Sequence, residues 1–220
     1  MPSIKLPKHS TDTDMTPFVD VAFLILAFFI MATKFKPPEP VDIVTPKSVS
    51  AEELPENDAI LITVDSINRV FFTVLAEKEP RILDEVIQGL NTSRNLNLSP
   101  AEMQNYRKTY AVGVPFSSLK SFLAMDQASQ GRVNQPGIPV MDTLNNELVW
   151  WIAESKKAFA NNSRPLRYLI KGDGSSKYPA FEAVIAALKK NDQFKYNLVT
   201  ALENAPSGSA LDVKNKKGIK

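Results

Sequence analysis

The amino-acid sequence predicts an α+β protein: a single N-terminal transmembrane helix, a proline-rich linker, then a small mixed sheet packed with helices and carrying a helical insertion. Three observations carry that expectation. The stretch from Pro17 to Thr33, PFVDVAFLILAFFIMAT, holds one ionisable group, Asp20. Pro37, Pro38, Pro40, Pro46 and Pro55 punctuate the polar segment that follows. From Ala59 onward, β-rich runs alternate with amphipathic patterns of helical period.

Residues 1–15 form a short tail, and the span is placed at 16–33. At ~1.5 Å per residue, about eighteen residues make a helix of roughly 27 Å, close to the hydrocarbon thickness of a bilayer. A secretory signal peptide would share the basic start given by Lys5 and Lys8. Met31-Ala32-Thr33 is a poor cleavage site, however, and an acid inside the apolar centre is wrong for a signal, so a retained anchor is expected. A buried helix of a soluble core fails too, because no other part of the chain is apolar enough to surround it. Thr16 suits an N-cap with Pro17 at the first helical position. Lys5 and Lys8 before the span balance Lys34 and Lys36 after it, so the positive-inside rule favours neither orientation. The layout, a short tail, one span and a long C-terminal domain, places the bulk of the chain outside the cytoplasm.

Asp20 lies one turn inside the helix start. A carboxylate at mid-membrane costs about 2.5 to 3.5 kcal/mol on insertion scales, and less near the interface. Two readings follow. In one, the side chain reaches back to the headgroups and the favourable end of the helix dipole. In the other it faces a protein partner and alternates between charged and neutral forms, since desolvation favours a neutral carboxyl. Asp20, Leu24, Ala27 and Met31 share one helix face. One carboxyl on one helix cannot form an ion path by itself, so the second reading requires a partner with more helices.

Residues 34–55 read as an extended, semi-rigid tether reaching roughly 60 Å in polyproline form. The domain follows at 56–203. AILITVD (59–65) and RVFFTVL (69–75) form a hairpin, with Asn68 suited to a left-handed turn position. Ile82, Leu83, Val86, Ile87 and Leu90 mark one face of a helix. Ser99-Pro-Ala-Glu102 is a capping box that opens another, running to about Lys108. A short helix is placed over Ser118 to Asp126, then a loop broken by Gly131, Pro136, Gly137 and Pro139. Asp142 is read as the cap of a long helix whose stripe is Leu144, Leu148, Trp151, Ile152, Ser155 and Phe159. Trp150 and Trp151 are adjacent and cannot point the same way; one belongs to the core, the other to surface or interface. LRYLIK (166–171), PAFEAVIAALKK (179–190) and 196–202 give strand, helix and strand, hence a parallel pair with a right-handed crossover. Residues 204–220 are polar, with four lysines near the end, and read as a mobile tail.

Composition narrows the function. There is no cysteine and one histidine, His9, among 220 residues. Zinc sites of the Cys/His kind, thiol nucleophiles and histidine-based triads are disfavoured, and no metal site or cofactor is expected. A net charge of +2 gives no case for nucleic acid. Gly172-Asp173-Gly174-Ser175-Ser176 lies between a strand and a helix but lacks the Lys-Ser/Thr and spacing of a phosphate loop, so it reads as a tight turn. Its Asp173 can serve as a side-chain cap or a partner contact. Glu52, Glu53, Asp84 and Glu85 read as solvated acids. No enzymatic reaction centre is visible.

The segment Asp14-Met-Thr-Pro-Phe-Val-Asp20-Val, continuing through Leu24 to Thr33, resembles the membrane signature of the ExbD/TolR biopolymer-transport proteins. The stretch from Tyr168, YLIKGDGSSKYPAFEAVIAALKKNDQFKYNLVT, resembles that family's closing strand, Asp, Tyr, helix and strand, with Asp173 and Tyr178 at the matching positions. Residues from about 91 to 161 read as a helical insertion that ordinary members lack. The resemblance implies a single-pass subunit of a bacterial inner membrane, N-terminus in the cytoplasm and C-terminal domain in the periplasm. It implies a pair of such helices, from two ExbD-like chains (a homodimer or a pair of paralogues), inside a pentamer of an ExbB-like subunit. Proton flow through that assembly drives a TonB-like protein, which energises outer-membrane transport. Asp20 matches the proton-carrying carboxylate, and Asp173 and Tyr178 are candidate periplasmic contacts. The alternative is a TolR-like adaptor that links an inner-membrane complex to peptidoglycan.

Overall fold

The computed structural model describes residues 15–32, 41–48, 55, 57–76, 78–142 and 145–202. Residues 1–14 of the expected N-terminal tail, the expected C-terminal tail, parts of the linker with Glu52 and Glu53, and Leu144 lie outside the described residues. The chain divides into two compact units, residues 1–37 and 38–220.

The first unit contains helix α1 (Thr16–Ala32), 17 residues with none buried. It starts a residue earlier than expected, because the Val19 N–H donates to the Met15 carbonyl at 3.0 Å. Met15, not Thr16, therefore holds the cap position. Among the described residues no helix is long and apolar enough to cross a membrane; α1 measures about 26 Å along its axis.

The second unit runs β1 (Lys47–Ser48), β2 (Ala59–Val64), β3 (Val70–Leu75), α2 (Pro80–Arg94), α3 (Pro100–Tyr106), α4 (Phe116–Leu123), α5 (Gln127–Gln130), α6 (Leu148–Asn161), β4 (Arg167–Gly172), α7 (Tyr178–Lys190), β5 (Asn197–Val199) and β6 (Ala201–Leu202). The expected small mixed sheet is present, in the order β3-β2-β4-β5. β2 and β3 are antiparallel, while β2 with β4 and β4 with β5 are parallel. Ile62 stands opposite Phe72 on one side and Ile170 on the other. Strand alternation sends Ile60, Ile62, Val64, Phe72 and Ile170 to the face covered by helices. Ala59, Leu61 and Leu169 form a smaller cluster on the other face.

The hairpin turn forms as its residues dictate. Asn68 is left-handed (φ 68°), and the buried Asp65 carboxylate accepts the N–H groups of Ile67 and Arg69 at 3.0 and 2.7 Å. The capping box at Ser99 and Glu102 is complete. α2 buries Ile82, Val86, Ile87 and Leu90 and stops at Asn95, which is left-handed (φ 51°).

The region read as an insertion packs into the same core. Trp151 is fully buried, its ring 5.2 Å from Phe72 of the sheet and 5.9 Å from both Tyr106 and Phe116. Trp150 remains 38% exposed, so the adjacent tryptophans divide as expected. Val112 exchanges two main-chain bonds with Phe72, at 2.8 and 2.9 Å, and Ile138 donates to the Val70 carbonyl at 2.8 Å. The outer edge of β3 is thereby covered. Gly137 makes that approach possible: it has φ +93°, and a Cβ there would lie 2.9 Å from the Arg69 Cβ.

Three of the boundaries that differ from expectation have a visible cause. α6 begins at Leu148, not near Asp142, because the Glu147 N–H goes to the Pro139 carbonyl and the Leu148 N–H to the Asn146 side chain. α4 begins two residues early, where the Glu147 carboxylate accepts the Phe116 N–H at 2.7 Å. The closing strand is broken at Thr200: β5 joins the sheet, whereas β6 pairs in parallel with β1 of the linker.

Candidate functional site

α1 is apolar around its whole circumference, and Asp20 is the one ionisable side chain among its residues. A helix of that kind is suited to lipid or to other helices, not to water. Leu24 is 60% exposed and Met31 86%; Ala27 is only partly exposed. Spacings of four, three and four residues bring Asp20, Leu24, Ala27 and Met31 onto one stripe of α1.

The second candidate, Asp173, sits in the turn between β4 and α7. Its N–H donates to the Val64 carbonyl at 2.9 Å, and its own carbonyl accepts the Ser176 N–H at 3.0 Å, closing the tight turn the sequence predicts. The carboxylate is engaged inside the chain. It accepts the Ser175 N–H at 2.8 Å, the Ser175 hydroxyl, and the Val44 N–H at 3.0 Å. Those bonds, the Ser175 hydroxyl foremost, hold its carboxyl below the ordinary aspartate range.

Val44 is the residue sequence reasoning missed. Its carbonyl also accepts the Gly174 N–H at 2.9 Å, and the Pro46 carbonyl accepts the Ala201 N–H at 2.9 Å. Together with the β1–β6 ladder, these bonds strap residues 44–48 of the proline-rich stretch onto the domain. A bond from a main-chain N–H to a carboxylate 129 positions away leaves no signature in composition.

Tyr178 opens α7 and is 70% exposed. The Lys177 N–H before it donates to the Asn68 side chain at 2.7 Å, tying the hairpin turn to the start of this helix. Val44, Ile67 and Tyr178 are thus exposed apolar side chains on segments bonded to the same end of the sheet. Two acids expected to be merely solvated have partners: Asp84 pairs with both Nε and Nη2 of Arg107, and Glu85 accepts the side-chain amides of Asn161 and Asn162. Among the described residues no cluster of His, Cys, Asp and Glu could hold a metal ion.

The family model described as biopolymer transport protein ExbD/TolR matches residues 7–203. The chain belongs to the ExbD/TolR family. The match runs from before α1 through the closing strand, so it includes Asp20, Asp173 and Tyr178. No curated protein and no solved structure matches the chain. ExbD/TolR proteins serve energy transduction in biopolymer transport, are typically associated with the inner membrane and work with ExbB/TolQ-type partners; the family is not enzymatic.

Proposed function

We propose that this ExbD/TolR protein is a proton-driven motor subunit of an ExbB-ExbD-TonB-like complex, with Asp20 as the proton carrier. The observation that carries the reading is one carboxyl in an apolar 17-residue helix that buries none of its residues within the chain. Such a helix needs an apolar surrounding, and such an acid needs a partner that makes its charge tolerable or lets it be neutralised. About 26 Å of helix is short against a ~30 Å hydrocarbon core, a mismatch met by local thinning or by flanking side chains that reach the interface. In this reading α1 spans the inner membrane, N-terminus cytoplasmic and domain periplasmic.

Two such helices, from two ExbD-like chains, would sit within an ExbB-like pentamer. Asp20 takes a proton from the periplasmic side, moves in neutral form against the apolar partner wall, and releases the proton towards the cytoplasm. Moving one charge through 100 mV is worth ~2.3 kcal/mol, enough per proton to bias a turning or rocking helix pair. The strap at Val44 gives motion of the linker a mechanical attachment on the domain, and Tyr178 offers an exposed contact for a TonB-like protein.

Replacing Asp20 by Asn tests the reading. Assembly with the ExbB-like partner is expected to persist while energised uptake is lost; full uptake by the variant would reject the proton role. Capture of the domain by isolated sacculi but not by a TonB-like protein would favour the TolR-like adaptor instead.

A further inference from the structure

The ends of three helices meet around one cation. Arg94 lies in the last turn of α2, immediately before the left-handed stop at Asn95. Its guanidinium carbon is 4.9 Å from the ring centre of Trp150 in α6 and 5.6 Å from that of Phe116 at the start of α4. Arg94 is exposed, and Trp150 is 38% exposed. Among the described residues Arg94 forms no hydrogen bond or close ion pair, so its fork of N–H donors is not engaged by the domain. Trp150 is anchored from behind, because its neighbour Trp151 is fully buried in the aromatic cluster.

We propose that Arg94 and Trp150 form a recognition site for an acidic segment of a partner protein, a carboxylate on the guanidinium edge and an apolar side chain on the indole. Stacking orients the guanidinium and removes most of the rotamer freedom that binding would otherwise cost. A planar fork with free donors matches a carboxylate through two parallel charge-assisted bonds. Trp and Arg are the residue types that most often dominate interface energies. Lipid surfaces, by contrast, are held by clusters of 4–8 cations. Here one exposed guanidinium stands over two rings, a discrete site and not a basic cluster.

The test uses the full chain in detergent micelles and isothermal titration calorimetry with the peptide acetyl-Glu-Leu-Glu-Pro-Leu-Glu-amide. Its all-glutamine counterpart is expected to bind at least about tenfold more weakly, the loss expected for charge-assisted bonds. Arg94→Gln and Trp150→Ala are expected to lose about the same factor, while Trp150→Phe, which keeps a ring, stays within about threefold. Thermal melts establish that each variant is folded. The glutamine peptide needs no variant, so the comparison survives if Arg94→Gln fails to fold. Absence of binding by the acidic peptide, equal binding by the two peptides, or unchanged binding by folded Arg94→Gln overturns the proposal. Arg94-dependent binding to phosphatidylglycerol vesicles without peptide binding also overturns it, in favour of lipid.

Discussion

The Asp173 carboxylate accepts the main-chain N–H of Val44 at 3.0 Å, joining residues 129 positions apart. Gly174 returns a bond to the Val44 carbonyl. One turn thus fixes where part of the proline-rich stretch lies on the domain, and anything pulling on that stretch pulls on this turn.

Asp173→Ala is therefore expected to release the strap without unfolding the sheet. Amide hydrogen exchange at Val44 and Gly174 should accelerate by about tenfold or more, while Ile62 and Ile170 keep their protection. Asp173 is held below its ordinary range, so the stability it adds is present above about pH 4 and is lost as pH falls through the depressed value. The protection of the Val44 amide, its exchange rate taken relative to the intrinsic rate at each pH, should fall on acidification in the native chain but not in Asp173→Ala.

Glu147 behaves in the opposite sense. Burial pushes its carboxyl above the ordinary glutamate range, opposed by the Phe116 N–H and by Arg94. Its contribution is fully present below the ordinary value of about 4.3 and is lost as pH rises through the raised one. Glu147→Gln keeps an acceptor for Phe116 and removes the charge. Urea midpoints measured from about pH 4 to about pH 7 should fall less with rising pH in this variant than in the native chain.

Trp151 is the joint between sheet and helices. Trp151→Ala is expected to cost about 3–5 kcal/mol in urea unfolding, and Trp151→Phe distinctly less, since a ring remains against Phe72, Tyr106 and Phe116. A loss below about 1 kcal/mol for the alanine variant would show that the helical region does not share the sheet's core.

Local chemistry makes much of this fold legible. Asn68 at the hairpin, the Ser99–Glu102 box and the Ile82–Leu90 stripe each act within a few residues, and each is found where the sequence puts it. The start of α6 is misplaced from sequence because Leu144 continues the apolar stripe in phase, whereas Asn146 and Glu147 are held by bonds to a later amide and to a distant loop and helix. The strap and the Val112–Phe72 bridge are invisible for the same reason: they join distant segments, by main-chain bonds and, at Val44, by the Asp173 carboxylate. Of the candidate site, Asp20 and its face can be read directly from spacing. Asp173 is found by type and position, but its bond to Val44 is not.

Gly89 is where α2 meets α6, and a Cβ there would collide with the Glu154 carboxylate. Glu154 is buried and held by Lys157 at 2.7 Å. Gly89→Ala alone is expected to destabilise by about 1–3 kcal/mol. In a Glu154→Ala background the clash is gone and helix propensity favours alanine by up to about 1 kcal/mol, so the sign should reverse. Chemical denaturation of the four chains of this cycle measures the coupling.

The most direct measurement concerns the proton on Asp20. Infrared difference spectroscopy of the membrane-reconstituted complex with its ExbB-like partner, recorded as a proton gradient is applied, should show a protonated-carboxyl band that appears and decays with turnover and is missing in Asp20→Asn. A native complex that turns over with no such band, or an identical band in the variant, would contradict the assignment of Asp20 as the proton carrier.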